Sequence, residues 1–142
     1  FLFTKAILEK EEIKVFNNGN MVRDFTYIDD VVQGLIKVIE KIPLHEENFK
    51  DKNYPSDTSW APFKVFNIGN SKPINLMEYI KAIENELGIE AKKKLMPLQP
   101  GDVMETLSDT SSLEDWIRFK PNTSIKFGIK KFVKWYRDFY KV

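Results

Sequence analysis

The chain is 142 residues long, 42% hydrophobic and 13% aromatic, enough to fill a packed core and too apolar for an intrinsically disordered protein. Its 22 basic and 21 acidic side chains leave a net charge of +1, which offers no long-range attraction to nucleic acid or to an anionic membrane, so any anion site has to be local. Cysteine is absent, which excludes disulfides and thiolate chemistry, and no apolar run or ordered leader signal marks a membrane or secretory route; the expectation is a soluble, cytoplasmic protein.

In chain order, Leu2, Phe3, Ala6 and Ile7 recur at helical spacing, predicting a helix over residues 1–10. It has no initiator methionine or capping residue before it, so the chain is expected to be a piece of a longer one. Ile13-Lys14-Val15-Phe16 predicts a short strand, Asn17-Asn18-Gly19-Asn20 a turn, and residues 22–25 a second extended piece. A helix follows from Asp29 or Asp30 as N-cap to Ile42, with Val31, Val32, Leu35, Ile36, Ile39 and Ile42 as its buried stripe. Residues 44–62, polar and without a period, read as a long surface loop.

Residues 64–68 (Lys-Val-Phe-Asn-Ile) then predict a buried strand, and residues 75–87 a helix stopped by Gly88. Residues 92–96 predict a lysine-rich strand and residues 111–117 a short helix. In the last helix, capped by Thr123 or Ser124, Ile125, Ile129, Phe132, Val133, Tyr136 and Tyr140 form the apolar face. The aromatics of that helix, including Phe127, Trp135 and Phe139, read as core packing. The order of elements gives an α/β fold, of α+β-like character, with a short mixed sheet and several helices.

No Gly-x-Gly-x-x-Gly turn or Walker loop occurs, so nothing in the sequence cradles a dinucleotide pyrophosphate. His45, the one histidine, lies in the polar loop and reads as solvated; with no cysteine beside it, a transition-metal site is not expected. Lys92-Lys93-Lys94 reads as a solvated edge strand, with added positive potential beside an anion site as the alternative. Arg23 stands just before a helix start, where its fork of donors suits phosphate or carboxylate oxygens; a surface ion pair with Asp24 or another carboxylate is equally open. Prolines flank Gln99, Gly101 permits a turn, and Asp102 is displayed at a set place; the amide and carboxylate suit a hydroxyl-rich ligand, though an ordinary Asp-bearing turn also explains them.

Three segments carry a resemblance: Arg23-Asp24-Phe25-Thr26-Tyr27-Ile28-Asp29-Asp30, Val65-Phe66-Asn67-Ile68-Gly69-Asn70, and Met96-Pro97-Leu98-Gln99-Pro100-Gly101-Asp102-Val103. In order and spacing they resemble the carboxyl-terminal third of the NAD-dependent nucleotide-sugar epimerases of the extended short-chain dehydrogenase family, most of all the UDP-glucuronate 4-epimerases, including the bacterial enzymes of capsular polysaccharide synthesis. Phe119-Lys120-Pro121-Asn122-Thr123-Ser124-Ile125 and, after it, Lys131-Phe132-Val133-Lys134-Trp135-Tyr136 resemble that family too.

The resemblance implies an enzyme of two parts, in which an amino-terminal Rossmann domain holds NAD and a catalytic Tyr-x-x-x-Lys pair. Residues 1–142 would form the single substrate-binding domain. No tyrosine here is followed four residues later by lysine, so the expectation for the chain alone is no catalytic residue, no bound NAD, no metal and no activity. By position, Arg23 would contact the UDP diphosphate, Lys14, Val15 and Phe16 would line the uracil, and Asp102 would bind near the ribose. Gln99 falls where UDP-galactose 4-epimerases carry a second phosphate-binding arginine, which favours the glucuronate group, and Leu107 falls where relatives often carry tyrosine. The implied partners are a UDP-sugar and the Rossmann domain, without nucleic acid or membrane, and exposed apolar surface would lead the chain to self-associate. Two alternatives stand beside this: the same portion of a UDP-sugar dehydratase or decarboxylase, and a free-standing, non-catalytic binding module.

Overall fold

Alternation builds the first strand. In β1 (Glu12–Val15) Ile13 and Val15 are buried while Glu12 and Lys14 are exposed, so one face of the strand belongs to a core and the other to solvent. β1 pairs in parallel with β4 (Lys92–Leu95), Glu12 opposite Lys92 and Val15 opposite Leu95. The computed structural model describes residues 1–45, 49 and 55–142.

Three helices cover the buried face of that pair. α1 (Leu2–Leu8) contributes Ile7. In α3 (Leu76–Leu87) the Asn75 side chain accepts from the Met77 N–H at 2.8 Å, and Gly88, at φ 70°, closes the helix in the left-handed conformation. It buries Ile80, Ile83 and Leu87. α5 (Ile125–Tyr140) is capped by Ser124, whose hydroxyl accepts from the Phe127 N–H, and buries Ile129, Val133 and Tyr136. Together Ile7, Ile13, Val15, Ile80, Ile83, Leu87, Ala91, Ile129 and Val133 form one apolar cluster.

Glu84 of α3 lies among them, 5% exposed. It accepts from the Ala91 N–H at 2.9 Å and is paired with Lys93, with Lys81 at 3.5 Å on its other oxygen. Burial pushes its carboxyl up, but the Lys93 and Ala91 hydrogen bonds and both lysines outweigh that and hold it below the ordinary carboxylate range. Of the three successive lysines, then, Lys92 and Lys94 are exposed as expected, while Lys93 is drawn to a buried acid.

A second pair, β2 (Val22–Asp24) and β3 (Pro73–Asn75), is antiparallel with Arg23 opposite Ile74. Between β1 and β2 the chain reverses through Asn17, Asn18 and Gly19, at φ 48°, 50° and 83°. Asparagine tolerates this left-handed conformation, and at Gly19 a Cβ would stand 2.6 Å from the Met77 sulfur, so the Met77 side chain would have to move to admit it. All these elements belong to a compact unit of Phe1–Phe25, Lys72–Leu107 and Thr123–Val142. The α/β class is as expected, except that the short sheet consists of two separate two-stranded pairs.

Thr26–Ser71 and Ser108–Asn122 form another unit, which contains α2 (Ile28–Ile39) and α4 (Ser111–Ile117). Here the expected burial of α2 is corrected. Its inward positions are Asp30 and Gly34, while Val32, Leu35, Ile36, Ile39 and, beyond the helix end, Ile42 are exposed, with Ile39 at 76%. Gly34 leaves room for Ile68 and Phe119, and the Asp30 carboxylate accepts from the Asn122 N–H at 3.2 Å, so a small and a polar residue occupy the face that packs. The expected caps are corrected as well: Tyr27 is the N-cap, and Asp29 and Asp30 sit in the first turn, where their charge suits the helix dipole.

Residues 64–68 do not form the expected strand; among the described residues the segment makes an isolated bridge, Thr58 to Lys64, and the Val65 N–H donates to the Asp57 carbonyl. Val65 is 51% exposed, so the segment is not buried on two faces either. The aromatics of α5 are only partly core: Trp135 and Phe139 stack on each other with centroids 5.4 Å apart while both stay exposed. Of the expected polar loop, Glu46, Glu47, Asn48, Asp51 and Asn53 lie outside the described residues.

Candidate functional site

β2 brings Arg23 to the loop that the sequence marked as rigid. Its guanidinium donates from Nη1 to the carbonyls of Val22 (2.9 Å) and Met104 (3.1 Å), and from Nη2 to Asp102 Oδ1 (2.9 Å) and the Val103 carbonyl (2.7 Å). The pairing carboxylate is Asp102, 79 positions along the chain, rather than the adjacent Asp24. Arg23 and Asp102 keep 24% and 35% of their side-chain surface open to solvent, so this is a pair at the surface with three carbonyls around it.

The main chain explains the placement. Val22 donates to the Met104 carbonyl at 2.8 Å, Thr106 donates back to the Val22 carbonyl at 3.2 Å, and Val22 bridges Glu105 in parallel. The Asp24 N–H reaches the Thr106 hydroxyl at 3.3 Å. Within the loop, the Asp102 N–H donates to the Gln99 carbonyl, Gly101 takes φ 83°, and the Val103 N–H donates to Asp102 Oδ1 at 2.9 Å. The other end is tied as well, because Met96 donates to the Val15 carbonyl at 2.9 Å and accepts from the Asn18 N–H at 3.0 Å. Residues 96–104 are thus held at both ends, by the β1 terminus with its left-handed turn and by β2.

Among the residues marked from the sequence, Arg23 and Asp102 are in direct contact and Gln99 joins them through the backbone, its side chain exposed. Lys14 is exposed and Phe16 partly buried, near the loop's first residue. Val15 has a fully buried side chain, and its carbonyl accepts from the Met96 N–H. Phe25 stacks flat on Tyr79, centroids 4.2 Å apart and planes 5° apart, which anchors the chain just past Arg23; burial raises the Tyr79 hydroxyl's pKa.

Sequence reasoning missed the Thr106 hydroxyl, the carbonyls at Val103 and Met104, and the role of Asn17 and Asn18. The Asn-Asn-Gly run was the available signal for the last of these. Chemically the arrangement offers a carboxylate with one oxygen, Oδ1, fixed by donors, and an Oδ2 for which no bond is seen among the described residues, which suits a ligand hydroxyl. Among the described residues there is no group of three or more His, Cys, Asp or Glu able to hold a metal ion. No helix there is long and apolar enough to cross a membrane.

At the strand-to-helix junction of β3 and α3 the Asn75 side chain fills the helix N-terminus, where a pyrophosphate would need bare N–H groups and glycine.

Residues 1–50 match the family described as "NAD dependent epimerase/dehydratase family". Protein CapI of Staphylococcus aureus is 48% identical over 141 residues, covering 99% of this chain and 42% of that protein. A probable UDP-glucuronate 4-epimerase of Rhizobium meliloti (strain 1021) is 36% identical over 143 residues, again covering 99% of this chain and 42% of the relative. Among solved structures, a UDP-glucose 4-epimerase of Thermotoga maritima with UDP-glucose superposes with a TM-score of 0.76 at 26% identity, covering 98% of this chain and 39% of that one. The chain therefore spans about two fifths of the length of the proteins it matches.

Proposed function

We propose, on the premise that this chain is kin to the NAD-dependent nucleotide-sugar epimerases of the epimerase/dehydratase family, that it is the nucleotide-gripping part of a UDP-glucuronate 4-epimerase. The observation that carries the reading is the gathering of Arg23, Asp102 and the Gln99 turn into one braced loop from positions far apart in sequence. Similarity along 99% of this chain, and 42% of the relative, to a probable UDP-glucuronate 4-epimerase supports the choice of sugar.

In this reading Asp102 Oδ2 accepts from a ribose hydroxyl, and Gln99 lies toward the diphosphate. Lys14 and Phe16 flank the uracil; Val15 serves as core, which narrows the base contact to its neighbours. NAD and the groups that move hydride and proton belong to sequence outside these residues, the chain alone turns over nothing, and the whole enzyme supplies a cytoplasmic polysaccharide-precursor route. The contribution of this part is binding energy at the nucleotide, remote from the reacting carbon, which holds the sugar in register.

Calorimetric titration of the full-length protein with UDP, ADP and GDP tests the assignment. UDP binding at least tenfold tighter than the purine nucleotides is expected from a base contact at Lys14 and Phe16 that suits uracil, about 1.4 kcal/mol of discrimination. Equal affinity for all three would remove the uracil contact from the account.

A further inference from the structure

We infer that the outer side of α5 is a docking surface for an anionic lipid membrane, built from lysines around a pair of exposed aromatic rings. The net charge of +1 gives no sign of it, because the charge is segregated along the chain. Lys126, Lys130, Lys131, Lys134, Arg137 and Lys141 stand against one acid, Asp138, on the helix and its cap, and all of these side chains are exposed. This element carries +5 in a chain whose total is +1, so a negative surface is drawn to it rather than to the molecule at large.

The core takes Ile129, Val133 and Tyr136. On another side of the helix Phe127, Lys131, Trp135 and Phe139 follow one another at four-residue steps, which makes one exposed stripe. Trp135 and Phe139 stack with centroids 5.4 Å apart, and Lys131 Nζ lies 5.4 Å from the centre of the Phe127 ring. Lys130, Lys131, Lys134 and Arg137 line an open groove with Phe127, where Glu86 and Asp138 are the acids. Lys134 is paired with Asp138 at 2.6 Å; among the described residues no acid is paired with Lys126, Lys130 or Lys131.

The composition of this face decides its occupant. A second copy would set +5 against +5. Protein and nucleic-acid recognition favour arginine, whose planar fork orders its acceptors, and lysine is depleted from protein interfaces; five of the six cations here are lysine. Flexible ammonium groups suit headgroup phosphates that move to meet them, and their stems cover apolar surface as they reach. An exposed indole stacked on a phenyl ring suits the boundary between headgroups and acyl chains. Charge and aromatic insertion together supply the two signals that stable peripheral anchoring takes.

Cosedimentation of the full-length protein with vesicles tests this, using phosphatidylcholine alone and with about 30% phosphatidylserine in about 0.1 M salt. Binding at least about tenfold stronger to the anionic vesicles is expected, and about 0.5 M salt should release it. Each lysine at such a surface is worth about fivefold, so Lys130→Glu with Lys131→Glu should weaken binding at least about twentyfold. Trp135→Ser with Phe139→Ser should weaken it about tenfold, with melting curves to confirm folding; if that variant unfolds, the charge reversal carries the test. Brominated acyl chains should quench the fluorescence of the wild-type protein more than that of Trp135→Phe. Equal binding to both vesicles, no binding to either, undiminished binding by the charge-reversed variant, or equal quenching would overturn the proposal. So would binding of polyglutamate or a single-stranded oligonucleotide as tight as that of the vesicles, or self-association abolished by Trp135→Ser with Phe139→Ser, which would assign the face to another class of partner.

Discussion

Replacing Glu84 with Gln tests how the α3 to β4 connection is held. The carboxylate is 5% exposed and bonded to Ala91, Lys93 and Lys81. Glutamine keeps the volume and a carbonyl oxygen for the Ala91 N–H, but leaves Lys93, whose side chain is 22% exposed, without its counter-charge. Breaking a buried pair on one side costs about 3–5 kcal/mol, and the retained acceptor and the partial exposure of Lys93 lower this to about 2–3 kcal/mol at pH 7. That corresponds to a fall in Tm of roughly 5–10 °C for a chain of this size. The acid limb carries a second signature. The folded carboxyl is held below its ordinary value, so its stabilisation is fully present above the unfolded pKa near about 4.3 and is lost as pH falls through the folded value. The deficit of Glu84→Gln should therefore shrink between pH 7 and pH 3. Urea unfolding followed by circular dichroism at several pH values measures both. A variant within about 0.5 kcal/mol of wild type at pH 7, or a deficit independent of pH, would refute the reasoning.

Gly19→Ala should cost about 1–3 kcal/mol, because φ is 83° and the new methyl would meet Met77; a neutral effect in thermal unfolding would mean the turn relaxes freely. On the outward face of α2, Leu35→Glu and Ile39→Glu should each change stability by less than about 0.5 kcal/mol and reduce self-association in multi-angle light scattering, since both side chains are exposed apolar surface. A large fall in stability would show that this face is buried after all. Arg23→Lys should loosen the loop that carries Asp102, because an ammonium has three donors and cannot serve the four acceptors that arginine does, and amide exchange at Val103 should be faster than in wild type. Unchanged exchange would show that charge alone suffices.

Elements with strong local punctuation were readable from the sequence. Asn75 and Gly88 bracket α3, Ser124 opens α5, and α4 spans the predicted residues 111–117. β3 was not readable, since three residues beginning with Pro73 show no period and look like the end of a turn. The α2 stripe was visible, but its direction was not: periodicity finds an apolar face without saying which face has a partner, and here Gly34 and Asp30 pack. At the site, the rigidity of the 97–102 turn could be read from its prolines and glycine. The choice of Asp102 over Asp24 as the partner of Arg23 could not, because it depends on β2 lying beside Met104 and Thr106, a contact across some eighty residues.

The central claim, that this chain is the nucleotide-gripping part of an epimerase, is tested most directly by incubating UDP-glucuronate with the full-length protein and with residues 1–142 alone, and following the sugar's C4 configuration by proton NMR. Inversion at C4 by the full-length protein and none by the 142-residue chain is the predicted result. Inversion by the chain alone, or an unreacted sugar with the full-length protein, would contradict it.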